Sequence, residues 1–392
     1  MLTIYFANTT LIDGLYSYSG KYCKFWFRHF SILPQLHNTP KNHDYALDFG
    51  DKLLALIRLI FKNQAEFRHS CLGLYAKFSP LWGGRFASKE MTVNFSDGSK
   101  PIILRSPIVL AAGANKNGKG INSYANLGLG GITVGTATRN FRIGNTHRPR
   151  VGLDEFNRLI YNSMGLNNDG IEKISARVEK QMGKAGKNKF AVGISVAETP
   201  GIAEENRRQD LLETFSIAYK AADYLEVNVS CPNTGEDRLD LDTCFMKEIF
   251  FEIENFRKNS HYRKAVYAKL SPDLTDRQLL SLLDLLAQFG VNGIILGNTY
   301  PSEKLSYSLP ALNAKGTSGG ISGRVIYENT FKKAVLAKKH FPKFSLVACG
   351  GIDHGFKVRD LLSEGVDFVQ VYSVFAFRWM AAQKMIYELD SK

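Results

Sequence analysis

One theme recurs along most of this chain and limits what it can fold into. A short apolar run ends in a small or polar cluster, and a stretch with helical spacing follows. The runs lie at 108–113, 131–136, 190–196, 224–229, 265–270, 293–297, 345–349 and 368–373. They are continuous rather than alternating, as parallel strands covered on both faces are. Each gap is long enough for a crossover helix. Eight β/α units in succession predict an α/β fold, a closed (β/α)8 TIM barrel. A doubly wound open sheet is the alternative, and it needs a glycine fingerprint after its first strand. The segment AAGANKNG at 111–118 is not GxGxxG, so the barrel is expected.

Three segments are expected in chain order. Residues 1–47 form an extension of unknown role, rich in aromatic residues, in which Asp13 is the only acid before Asp44. An acid-poor, basic start fits a targeting or membrane-contact segment as well as an extension packed on the domain. Residues 48–90 are an amphipathic helical segment. Phe49, Leu53, Leu56, Ile57 and Ile60 share one face, and Cys71, Leu74, Tyr75 and Phe78 recur at helical spacing. Residues 91–392 are the catalytic barrel, entered through a short β-hairpin around Ser96-Asp97-Gly98.

Composition narrows the function class. Hydrophobic residues make up 44% and charged residues 22%, as in ordinary globular proteins. The net charge of +13 favours anionic small molecules or an anionic membrane face. No long basic tract or Arg-rich helix supports nucleic acid as a partner. Five scattered cysteines argue against a disulfide framework and for a reducing compartment. No Cys/His cluster has metal-ligand spacing, so no metal is expected.

A barrel places its active site at the C-terminal ends of its strands. Those ends deliver Ala112, Gly113, Asn115 and Lys116, then Gly135 and Thr136, then Asn228, Cys231 and Asn233. Lys269, Asn298, Thr299, Gly350, Gly351, Tyr372 and Ser373 follow. The fourth strand runs into EVNVSCPNT and stops at Pro232, where a thiol stands between two carboxamides. Carboxamides can pair with a flat, imide-like ligand. A thiol serves as base or nucleophile if its pKa falls toward neutrality, whereas a merely buried Cys is inert. Gly-rich segments at 318–323 and 349–351 lie where barrels build phosphate sites from bare backbone N–H groups. Lys269 is a charge inside the apolar strand AVYAKLSP, which argues against plain surface charge. A phosphate site, an amide-rich pocket and two lysines together point to FMN, whose reduced anion a cation stabilises.

The chain from about 106 to its end resembles the dihydroorotate dehydrogenase family. The resemblance rests on AAGANKNG, NSMGLNN at 162–168, NVSCPNT, GNT at 297–299, SGGISG at 318–323, CGGID at 349–353 and VYS at 371–373. It implies FMN-dependent oxidation of dihydroorotate to orotate in pyrimidine synthesis. It implies Cys231 as the base, and Lys269 at the flavin. Substrate would meet Lys116, Asn162, Met164, Gly165, Asn228, Asn233, Asn298 and Thr299. FMN would be held by Ala112, Gly113, Lys116, Thr136, Ser195, Asn228, Lys269, Gly320, Ser322, Gly323, Gly350, Gly351, Tyr372 and Ser373.

The chain mixes features of two classes in that family. Cys231 and NSMGL resemble the soluble class. AAGxxKxG, SGGISGR, the Tyr372-Ser373 pair and the helical extension resemble the quinone-linked class. Ser195 stands where that class usually carries Asn, Gly297 where Thr is usual, and Ser163 where some members have Arg. The extension tips the expected acceptor toward quinone, with peripheral membrane contact through residues 49–78. That reading places the chain on the cytoplasmic side of a membrane or on an organellar inner membrane; otherwise it is cytoplasmic. Two alternatives stand beside it: fumarate or NAD as acceptor, and a related FMN barrel oxidoreductase acting on another dihydropyrimidine.

Overall fold

The computed structural model describes residues 89–147, 150–187, 189–230, 242–304, 319–378 and 380–390, with Leu72, Ala76 and Lys77. A short antiparallel hairpin comes first, β1 (Met91–Val93) with β2 (Ile102–Leu104). Eight parallel strands then close into a barrel in chain order. They are β3 (Ile108–Leu110), β4 (Gly131–Ala137), β7 (Ala191–Val196), β8 (Tyr224–Asn228), β9 (Ala265–Leu270), β10 (Gly293–Leu296), β13 (Ser345–Cys349) and β14 (Phe368–Val371). All eight expected strands are present. Several are shorter at the C-terminal end, because the backbone leaves the ladder where the small and polar residues begin.

Helices follow the barrel strands, two of them after the last strand. They include α1 (Ile121–Tyr124), α2 (Ile171–Lys187), α3 (Arg207–Ala221), α4 (Thr243–Lys258) and α5 (Asp276–Gln288). Next come α6 (Tyr327–His340), α7 (Gly355–Ser363), α8 (Val374–Phe377) and α9 (Ala381–Asp390). Thr275 caps α5 with a reciprocal Gln278 contact, which satisfies two otherwise orphan N–H groups. Leu279, Leu282, Leu283 and Leu286 of α5 recur at helical spacing and are buried in the outer core.

Two cores follow from strand alternation. Along β8, Leu225 and Val227 join the outer core with the helices. Tyr224 on the opposite face joins a second cluster with Tyr267, Phe368, Ile295 and Val347. The hairpin belongs to that second cluster through Val93, Ile102 and Leu104, so it plugs the N-terminal end of the barrel. Arg257 of α4, 1% exposed, locks this plug. It donates to Asp97 at 2.8 Å, Ser99 at 3.0 Å and Asn292 at 2.6 Å.

A further sheet is absent from the sequence expectations. Strands β5 (Val151–Asp154), β6 (Leu159–Asn162), β11 (Tyr300–Pro301) and β12 (Gly320–Gly323) form an antiparallel sheet in the order β11-β12-β6-β5. The segment expected as a phosphate loop, 318–323, therefore contributes a strand, from Gly320 to Gly323. Its four-residue length and two glycines hide that state from propensity. Leu72 and Ala76, the described apolar residues of the amphipathic segment, are buried in the outer core. The rest of residues 1–88, apart from Lys77, lies outside the described residues.

Candidate active site

Strand ends and the antiparallel sheet enclose one cavity. Ala112, Gly113, Lys116, Thr136, Asn162, Met164, Asn228, Lys269, Asn298, Thr299, Ser322, Gly350, Gly351, Tyr372 and Ser373 all line it. Cys231 and Asn233 lie outside the described residues. Gly165, Ser195 and Gly320 sit behind the lining, and Gly323 lines a smaller recess beside it.

Backbone contacts build the first wall. The N–H of Gly113 donates to the Gly135 carbonyl at 2.7 Å, and Gly135 N–H donates to the Asn115 carbonyl at 3.1 Å. Gly113 has a φ of +102°, in the left-handed region that favours glycine, and a Cβ there would face open space. A flat ring can approach this bare backbone closely. From the following loop, Lys116 Nζ donates to Asn167 Oδ1, which draws the 162–168 loop to the first strand.

A hydroxyl and amide relay forms the second wall. Ser195 and Thr136 share a hydrogen bond between their hydroxyls at 2.9 Å. Asn228 Nδ2 donates to Thr136 Oγ1 at 3.0 Å, and Asn298 Nδ2 donates to Asn228 Oδ1 at 3.2 Å. Ser195 is expected at the flavin; here it is fully buried and orients Thr136. Gly297 shows why Thr is absent: with φ +113°, a Cβ would fall 1.6 Å from the Cys349 carbonyl oxygen. Ser163 is buried and its hydroxyl accepts from Asn145 Nδ2 at 3.1 Å. The antiparallel sheet carries Asn162, whose Nδ2 donates to the Gly320 carbonyl at 3.4 Å. Among the described residues, Thr299 Oγ1 is buried without a hydrogen-bond partner beside this wall, an orphan that a ligand could satisfy.

The floor is ionic. Lys269 is 3% exposed, and its Nζ stands 3.2 Å from Glu226 Oε1. Gln370 Nε2 donates to Glu226 Oε2 at 3.1 Å and to Thr133 Oγ1 at 3.0 Å. Glu226 and Gln370 carry the same signal as Lys269, a polar residue inside an apolar strand, yet sequence reasoning passed over them.

The remaining wall is glycine-rich and basic at its edge. Gly350 and Gly351 have φ of +142° and +70°. Lys357 Nζ donates to the Gly351 carbonyl at 3.1 Å and pairs with Asp353 at 2.9 Å. Burial raises the Asp353 carboxyl, but hydrogen bonds from His354 and Lys357 outweigh it and hold the group well below the carboxylate range. The smaller recess shares Gly351 and Ser373 with the main cavity and is lined by Arg158, Arg324 and Arg378. Asp353 lines this recess too and pairs with Arg324 at 3.0 Å, and Arg378 pairs with Glu388, so it is the bare glycine backbone that suits an anionic end of a ligand. Burial also pushes the Cys349 thiol and the Tyr372 phenol up, so both stay protonated in this wall.

Comparison with known proteins places this geometry in context. A family model described as dihydroorotate dehydrogenase matches residues 100–392. The dihydroorotate dehydrogenase (quinone) of Baumannia cicadellinicola subsp. Homalodisca coagulata is 32% identical over 286 residues, covering 70% of this chain and 81% of its own. The protein of that name from Legionella pneumophila strain Corby is 29% identical over 333 residues, 83% of this chain and 96% of its own. Among solved structures, a DHODH from Eimeria tenella in complex with ferulenol aligns with a TM-score of 0.71 at 23% identity. That alignment covers 83% of this chain and 90% of the other, and it bears on the fold alone.

Proposed function

The chain belongs to the dihydroorotate dehydrogenase family, and from that premise we propose that it oxidises dihydroorotate to orotate in pyrimidine biosynthesis, with FMN as its flavin and a quinone as acceptor. The family is flavin-dependent. One observation carries the reading: Lys116, Asn162, Asn228, Lys269, Asn298 and Thr299 converge on a single cavity edged by glycine-rich backbone.

The residues fit a flavin. Gly113 offers bare backbone to a ring, Lys269 a cation, and Gly350, Gly351 and Ser373 a phosphate cradle beside Arg324. Tyr372 and Ser322 complete that side. Bound there, the flavin supplies a two-electron acceptor for the substrate's C6–H bond. The amides of Asn162, Asn228 and Asn298 orient the pyrimidine ring through its imide edge, and Asn233 joins them from the segment that follows β8. Lys116 pairs with the substrate carboxylate, and Thr299 and Met164 line the same cavity.

Cys231 takes the C5 proton. Unperturbed, a thiol is already a few per cent thiolate at neutral pH, so only modest activation is needed.

The relatives named above are quinone enzymes, which favours quinone here. Residues 49–78 would make the peripheral membrane contact that such an acceptor requires. No described helix is long and apolar enough to cross a membrane. Cys231 supports a second reading, with fumarate or NAD as acceptor. The deciding experiment mixes anaerobic protein with dihydroorotate, reads flavin bleaching, then adds a short-chain quinone, fumarate or NAD in parallel. Bleaching followed by reoxidation with quinone is expected. A protein that dihydroorotate does not bleach ends the reading, and reoxidation by fumarate or NAD alone selects the second acceptor.

A further inference from the structure

Beneath the cavity floor lies a carboxylate that the reaction above does not use. Glu226 is fully buried and does not line the cavity, whereas Lys269 and Gln370 do. Its strand neighbours explain the position. Tyr224, Glu226 and Asn228 alternate on the inward face of β8, with Tyr224 in the bottom cluster and Asn228 on the cavity wall. The register pairs Asn228 with Lys269 on β9, so the lysine stem starts one layer above Glu226 and its ammonium reaches down.

Both carboxylate oxygens are engaged. Oε1 stands 3.2 Å from Lys269 Nζ, and Oε2 accepts from Gln370 Nε2 at 3.1 Å. Gln370 in turn offers its Oε1 to Lys269 Nζ at 3.5 Å. Three side chains from three strands thus close a ring. Gln370 is tied to Thr133 Oγ1 at 3.0 Å, and Thr133 shares a 2.8 Å hydrogen bond with Tyr224. An ammonium this deeply buried is costly without a counter-charge, and a lysine stem has many rotamers to choose among.

We propose that Glu226 is a positioning residue for Lys269. It holds the ammonium at the cavity floor and supplies the counter-charge that keeps it cationic where the flavin binds. The proposal rests on the FMN reading above. Glu226 does not line the cavity and acts on it through Lys269, with Gln370 bracing its second oxygen.

The test titrates FMN into flavin-free protein and measures the flavin midpoint potential of the reconstituted enzyme. Glu226→Gln keeps the shape and the hydrogen bond to Gln370 but removes the charge. It is expected to weaken FMN binding at least tenfold and to lower the midpoint potential, since a neutral or displaced lysine no longer stabilises the reduced anion. In a Lys269→Met background the same change is expected to add no further loss. An unchanged affinity and potential, a raised potential, or an equal loss with and without Lys269 overturns the inference. If Glu226→Gln has no cooperative unfolding transition, the double variant with Lys269→Met carries the test. A folded double variant matching Lys269→Met in FMN affinity supports positioning. One that does not fold overturns it, because Glu226 would then be needed apart from Lys269. Wild-type protein that binds no FMN sinks the cofactor reading and the inference together. Wild-type binding with an indifferent Glu226→Gln sinks the inference alone.

Discussion

Asn298 Nδ2 donates to Asn228 Oδ1 at 3.2 Å, joining the ends of two non-adjacent barrel strands. The same nitrogen lies 3.1 Å from Ser230 Oγ, and Asn298 Oδ1 accepts from Thr299 N–H at 2.9 Å. The two amides therefore fix one another's orientation. Asn298→Ala is expected to lower kcat/KM for dihydroorotate by about 10- to 100-fold, the scale of one or two lost hydrogen bonds to a buried polar group. FMN content should stay normal, and orotate affinity should fall in parallel. Kinetics and orotate binding check this; unchanged orotate affinity removes Asn298 from the substrate site.

Cys231 follows directly on Ser230, whose hydroxyl donates to the Lys269 carbonyl at 2.9 Å. Cys231→Ala is expected to keep bound FMN and to lose at least about two orders of magnitude in the rate of flavin reduction, the usual scale for a general base. Cys231→Ser should retain partial activity with its pH optimum moved upward, because a hydroxyl is the weaker acid. Stopped-flow reduction by dihydroorotate reads both. A near-normal rate in Cys231→Ala would falsify the assignment.

A Cβ on Gly351 would fall 2.5 Å from Tyr327 N and 2.7 Å from its Cα, at a φ of +70°. Tyr327 opens α6, so the clash is with backbone and cannot be relieved by a rotamer. Gly351→Ala is expected to purify with most of its flavin missing, although the barrel still folds. Absorbance near the flavin band against total protein decides it, and a full complement of flavin counts against the phosphate-cradle role.

Asp97 anchors the plug at the opposite end. Burial raises its pKa, but hydrogen bonds from Ser99 and the charge of Arg257 prevail and bring it from 3.8 to about 2. A depressed carboxyl contributes stability that is complete above its unfolded pKa and is lost as pH falls through the folded one. The loss should thus fall between pH 3.8 and about 2. Asp97→Asn is expected to cost about 1–3 kcal/mol at neutral pH, because Arg257 loses a charged partner while buried. The variant's stability should fall less steeply than that of the wild type over the acid window. Denaturant midpoints at several pH values test it, and parallel acid limbs refute it.

The sequence by itself determined where the eight strands lie and which polar residues follow them, though not where each ladder stops. Eight apolar runs with helix-length gaps leave few topologies, and polar residues at strand ends mark the active face of any barrel. Lys269 stood out as a charge in such a run, and Lys116, Thr136, Asn228, Asn298, Gly351 and Tyr372 were legible from the strand-end rule. Tertiary structure alone decided what these residues touch. Glu226 and Gln370 carried the same mark, but strands buried on both faces show no hydropathy alternation, so nothing local identified them as inward-facing partners of Lys269. Asn162 meets Gly320 across 158 residues, and Arg257 meets Asp97 across 160. Contacts of that range depend on barrel closure, which sets strand neighbours and register together, and no window of sequence contains both partners.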